Sequence, residues 1–187
     1  GRPYSEIQAT ANRLLSVEDA PLLRIESRWR LVSPEDSWSL IDVHASSDMW
    51  DAFESIVQDV LSDENELFGM SYAERLRTSF TSRSEIRASK LLRFSISETL
   101  AIIGAGFVYA NILHDAKGRV ERIVRNLLHN SSWERWATLG EILPLLAEAA
   151  PNGFLDAINS DLKRKRTELT KLLADNSDHP LMSSCKH

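Results

Sequence analysis

From Ser33 onward the chain is written in a single period. Apolar residues recur every three or four positions, in segment after segment. That spacing places them on one face of a helix, whereas a strand needs a period of two. Ser33-Pro34-Glu35-Asp36 supplies an N-cap, a proline at the first helical position and acids in the first turn. Ser47-Asp48 opens a helix with Trp50, Phe53, Val57, Val60 and Leu61 on one face. Ser71-x-x-Glu74 and Ser82-x-x-Glu85 match the capping box, in which hydroxyl and carboxylate accept from opposite backbone N–H groups. The second box is expected to open the longest helix, carrying Leu92, Ile96, Leu100, Ile103 and Phe107. Gly104 and Gly106 either weaken its C-terminal half or mark a close helix crossing.

The next helix starts near Gly118 and turns Val120, Ile123, Val124, Leu127 and Leu128 inward. Ser132 begins another with Trp133 and Trp136, bent at Gly140 and Pro144 because proline has no N–H to donate. Pro151 starts a helix over 152–165 that is expected to bury Phe154, Leu155, Ile158 and Leu162. Leu169, Leu172 and Leu173 continue the pattern, and residues 176–187 read as a polar, fraying tail. Leu139, Leu143, Leu146 and Ala150 are expected to face Phe154, Ile158 and Leu162 across a short connection, with Trp136 in the seam.

Only before residue 33 does the period change. Residues 5–16 carry Ile7, Ala11, Leu14 and Leu15 at helical spacing, and Pro21 stops any helix. Leu23 and Ile25 then alternate with charged residues, as do Trp29 and Leu31, across a tight Ser27-Arg28 connection. This predicts a β-hairpin, although its turn lacks the Asn-Gly or Asp-Gly that hairpins favour. A helix leading into a two-stranded wing is the back half of a winged helix-turn-helix. Its front half would precede Gly1, so the chain reads as a piece of something longer. The expected fold is mainly α. A partial winged helix (1–33) precedes a helical array (34–175), either an irregular bundle or an α-solenoid segment of the HEAT or TPR kind.

Charge is segregated along the chain. Residues 33–68 hold ten acids and no Lys or Arg, whereas residues 69–135 hold eleven basic and six acidic groups. Such blocks predict adjoining surfaces of opposite sign, or else an acidic contact surface for another domain. The net charge is −5, and non-specific DNA binding needs a positive face, so nucleic acid is not the expected partner. The apolar run near Leu100 is too short to span a bilayer, and no leader precedes the first helix, so a cytoplasmic protein is expected. One cysteine, Cys185, excludes a disulfide framework.

No constellation for catalysis stands out. Gly104-Ala105-Gly106 is a lone G-x-G that follows no strand, and no P-loop is present. His179, Cys185 and His187 lack a fourth ligand and a compact zinc spacing. His44, His114 and His129 fall near helix ends, where the dipole accounts for them. Neither enzyme activity, cofactor nor metal is expected. Lys163-Arg164-Lys165-Arg166 suits a helix C-terminus, with a nucleic-acid or phosphate contact as the alternative. Trp38 and Trp50 sit beside aliphatic positions as core residues, with an aromatic partner-binding patch as the alternative.

Three stretches resemble a family of very large bacterial proteins. They are Leu22-Leu23-Arg24-Ile25 through Arg28-Trp29-Arg30-Leu31-Val32-Ser33-Pro34-Glu35-Asp36-Ser37-Trp38, the helix from Leu92 to Ile103 with Ser97-Glu98-Thr99-Leu100-Ala101, and Trp136-Ala137-Thr138-Leu139-Gly140-Glu141-Ile142-Leu143-Pro144 through Pro151 to Ile158. The family carries a STAND-type P-loop ATPase domain, a winged helix and a long helical-repeat region. Members with this layout are similar to anti-phage defence sensors. The resemblance implies a non-enzymatic segment that couples ATPase to repeats and contacts other domains of its parent chain or protein partners. The Walker motifs are absent, so no nucleotide-binding residue carries over. The competing expectation is a DNA-binding regulator in which Arg24, Arg28 and Arg30 of the hairpin touch phosphates.

Overall fold

A computed structural model of the chain describes residues 3–42, 45–70, 87–106 and 115–173, together with Glu74. It is mainly helical, with one small hairpin, as the periodicities require. The first helix, α1 (Tyr4–Leu14), leads to β1 (Leu22–Ile25) and β2 (Arg28–Leu31), an antiparallel pair with Leu23 opposite Arg30 and Arg24 opposite Trp29. Ile25 pairs with Arg28, so the turn is Glu26-Ser27, one position earlier than the sequence suggested. Glu26 takes φ 55 there, the left-handed conformation that glycine would supply in a favoured hairpin turn.

Serine caps then punctuate the chain. Ser33 Oγ accepts from Asp36 N at the start of α2 (Pro34–Asp42). Ser46 Oγ accepts from Met49 N and opens α3 (Ser47–Leu61). Asn65 caps a 3₁₀ turn, Glu66–Gly69. Ser89 Oγ accepts from Leu92 N and opens α4 (Lys90–Gly104). This corrects the expectation that Ser82 opens that helix, because residues 87 and 88 form a bend. The Ser71 box and the Ser82 box lie outside the described residues except for Glu74, which is helical, and Phe107 lies outside as well.

Beyond these come α5 (Ala116–Leu128), α6 (Trp133–Leu139, capped by Ser132), a 3₁₀ turn at Gly140–Ile142, and α7 (Leu143–Ala149). The bend falls at Gly140 and Pro144 as the missing proline N–H demands. The last helices are α8 (Pro151–Leu162) and α9 (Glu168–Leu173). The residues expected to start and fray the tail, from Asp175, lie outside the described part.

One buried cluster holds α3 to α8 together. Val57, Leu61, Leu100, Val120, Ile123, Val124, Leu139 and Leu146 are fully enclosed in it. The helices α4 and α5 form its middle, with α7 laid on α4 and α8 laid on α5. Contacts therefore skip along the sequence, as in a bundle, instead of passing only between successive pairs as in a solenoid. The α7–α8 seam exists, with Leu146 and Ala150 buried, and Trp136 of α6 meets Phe154 beside it, edge-to-face at 6.1 Å. The seam is the lesser contact of each helix. On α8 the buried face is Gly153, Ala157 and Asp161, while Leu155 and Leu162 point to solvent, contrary to the apolar reading. Small residues face α5 because the helices are close: a Cβ on Gly153 would lie 3.2 Å from the Glu121 carbonyl oxygen.

Asp161 ends this face with a polar anchor. Its buried carboxylate accepts from Glu168 N at 3.3 Å and Leu169 N at 3.0 Å, and pairs with Arg164 at 3.3 Å. Those amides are orphan donors at the start of α9, so Asp161 ties α9 to α8.

Candidate functional site

Two places on the molecule depart from what folding alone requires. The first is the N-terminal unit. No residue between Pro3 and Ser33 is buried. Tyr4, Ile7, Ala11 and Leu14 follow one another at three- and four-residue steps along α1, a complete apolar stripe. Yet Tyr4 is 70% and Ile7 54% exposed. On the hairpin Leu23 and Ile25 share a face and both stand in solvent, as do Val17 and Val32. The core closes without any of them.

The hairpin arginines do not form one surface. Arg28 and Arg30 share the face of Leu23 and Ile25, while Arg24 lies on the opposite face. Arg24 is occupied there, with its guanidinium 5.5 Å from the Trp29 ring centroid and its Nε donating to Glu26 O. In the basic run, Arg164 is engaged by Asn130 and Asp161, whereas Lys163, Lys165 and Arg166 extend into solvent past α8. Trp38 is half-buried against the core. Trp50 is 3% exposed, packed on Phe53 and covered by Arg119 at 5.6 Å, which corrects its reading as a partner contact: no ring face is left to offer.

The segregated charge is resolved within the chain. Arg119 of α5 reaches Asp51 and Glu54 of α3, Arg135 of α6 reaches Glu64 at 2.8 Å, and Arg87 reaches Asp59 and Asp63. Half of the acids in the block at 33–68 are thus answered by arginines of the later block. These pairs make adjoining surfaces of opposite sign.

The second place is a cleft of about 500 Å³ where α6, its following 3₁₀ turn and α7 meet α4, Asn65–Phe68 and α9. Arg93 lies in its wall at 5% exposure. Its Nη2 donates to Thr138 O at 3.0 Å, satisfying a carbonyl in the last turn of α6. Burial holds this guanidinium below its ordinary value; Asp63 and Glu141 pull the other way, and Arg135 adds to the lowering. It remains a cation at neutral pH. Lys90 and Glu141 pair at 2.7 Å on the rim. Thr138 Oγ1 accepts from Asn65 N at 3.0 Å and fixes the opposite lip. Trp136, another lining residue, is 2% exposed, and its indole N–H, like those of Trp38 and Trp50, finds no acceptor among the described residues.

The sequence reading passed over Arg93. Its signal was position: Arg93, Ile96, Leu100 and Ile103 are the buried stripe of α4, whereas Leu92 is 44% exposed. A charged residue in register with a core stripe marks such a site. Gly104-Ala105-Gly106 proves to be a helix end, with Gly106 at φ 88. His129 is the exposed C-cap of α5; His44, His114, His179, Cys185 and His187 lie outside the described residues. Among the described residues, no group of three or more His, Cys, Asp or Glu could hold a metal ion. Among them, too, no helix is long and apolar enough to cross a membrane. No known protein family, no curated protein and no solved structure matches the chain.

Proposed function

We propose that the chain is a non-enzymatic coupling module of a larger STAND-type protein, and that residues 4–32 are its docking surface for a neighbouring domain of that protein. The bundle serves as the rigid body that docking moves, and sensing in anti-phage defence is the setting that the resemblance implies. One observation carries the reading. A complete apolar stripe on α1 and the Leu23–Ile25 face of the hairpin stay in solvent while the core closes without them. Exposed apolar surface of this kind marks interaction sites. Half of the acids that could have offered a polar alternative are engaged by arginines of the same chain.

The test compares this chain alone with the longest reading frame that contains it. Hydrogen exchange at the α1 and hairpin amides should slow markedly in the longer protein. Ile7→Asp and Ile25→Asp should restore fast exchange there without lowering the melting temperature of the isolated chain. Unchanged exchange in the longer protein overturns the proposal.

A further inference from the structure

We propose that the cleft beside Arg93 binds a small ligand carrying a single carboxylate on a flat apolar body. This site is separate from the N-terminal surface, and neither reading depends on the other.

The cavity is of the right scale, because small-molecule sites span roughly 300–1,000 Å³ and this one is about 500 Å³. Its chemistry is uneven in a way that folding does not explain. Arg93 is nearly enclosed, yet among the described residues it makes no ion pair within 4 Å. The acids that act on it are engaged elsewhere: Asp63 by Arg87 and Glu141 by Lys90. The hydrogen bond to Thr138 O uses one of its five N–H donors. A buried cation without a counter-ion is costly, and an anion supplied from outside relieves it. Trp136 lines the same cavity and so reports on its occupancy. A guanidinium more than nine-tenths buried, with donors to spare, is thus left in the wall of a single cavity.

The remaining wall chooses the ligand. Phe68, Leu143 and Leu172 offer apolar surface to an aromatic or alicyclic body. A planar carboxylate matches the guanidinium fork. The Lys90–Glu141 pair on the rim balances itself, so among the described residues Arg93 is the one charge in the lining left to match, and a single carboxylate matches it better than a phosphate dianion.

The experiment uses three probes on the unaltered chain: 2-naphthoate, its neutral amide, and 2-naphthyl phosphate. The readout is the indole N–H region of the nitrogen–proton NMR spectrum, with the Trp136 resonance identified by its loss in Trp136→Phe. Naphthoate should shift that resonance saturably and bind at least about tenfold tighter than the amide. In Arg93→Gln that preference should vanish. The probe series alone decides the matter should Arg93→Gln fail to fold. Equal affinity for acid and amide, tighter binding of the phosphate, or a Trp136 resonance unmoved by naphthoate each overturns the proposal.

Discussion

Replacing Gly104 by alanine sets two forces against each other, and the structure says which wins. In a helix, glycine to alanine is worth up to about 1 kcal/mol of stabilisation. Gly104, however, closes α4 against α7. A Cβ built there would lie 2.6 Å from the carbonyl carbon and 2.9 Å from the Cα of Ala149, and closer still to its carbonyl oxygen. Carbon atoms rest about 3.5–4.0 Å apart, so the two backbones must part by about 1 Å. No side chain can swing aside, because every atom met is main chain. Overpacking of this kind costs about 1–3 kcal/mol, occasionally more, and main-chain obstruction places it at the upper end. The net expectation is a loss of about 2 kcal/mol, which for a chain of this size is about 4–8 °C in melting temperature. Gly140→Ala is the control. Gly140 has right-handed angles (φ −44, ψ −48), and a Cβ there meets nothing within 4 Å. It should gain about 0.4–1 kcal/mol from the less flexible unfolded chain. Thermal melts followed by far-UV circular dichroism measure both. A Gly104→Ala protein as stable as the parent refutes the α4–α7 contact.

Three further outcomes are expected. Asp161→Ala should cost at least about 1.5–3 kcal/mol, the contribution of one charge-assisted hydrogen bond, since two amides of α9 lose their acceptor; urea melts and faster exchange at those amides check it. Leu146→Ala, at a fully enclosed site, should cost about 2–5 kcal/mol in the same melts. The Glu168 carboxyl is held below its ordinary value, chiefly by the hydrogen bond from Lys171, with Trp133 N–H assisting and burial opposing. Its stabilisation is therefore present above the unfolded glutamate value and is lost as pH falls through the lower folded value. The melting-temperature gap between parent and Glu168→Gln should accordingly be widest near neutrality and close in acid.

The helices were legible because their signals are local. Ser33 and Ser132 cap where a hydroxyl precedes an apolar period, and Val120 to Leu128 bury as their spacing demands. The misses have physical causes as well. Ser89 and Ser82 both precede apolar runs, and nothing within the sequence tells which hydroxyl finds the free amide. On α8, bulk placed Phe154 and Ile158 against the core but misplaced Leu155 and Leu162. Close approach to α5 selects Gly153 and Ala157 for the inside and leaves Leu155 and Leu162 outside. Hydrophobicity alone ranks those residues the other way round.

The cleft shows where sequence reasoning about a site stops. Each of its polar members has an ordinary local explanation: Lys90 begins a helix, Thr138 bonds back to Glu134 O, and Arg93 is one basic residue among many in its block. What sets Arg93 apart is a negative fact of tertiary structure. Arg87, Arg119 and Arg135 each find carboxylates, because the acidic α3 and the turn after it pack beside them. Arg93 faces inward from the same basic block and is met by a helix-end carbonyl instead. Charge counting along the chain sees that arginine and those acids as balanced. Only the packing shows that this buried cation has no carboxylate within 4 Å among the described residues, and that is what the cleft presents to a ligand.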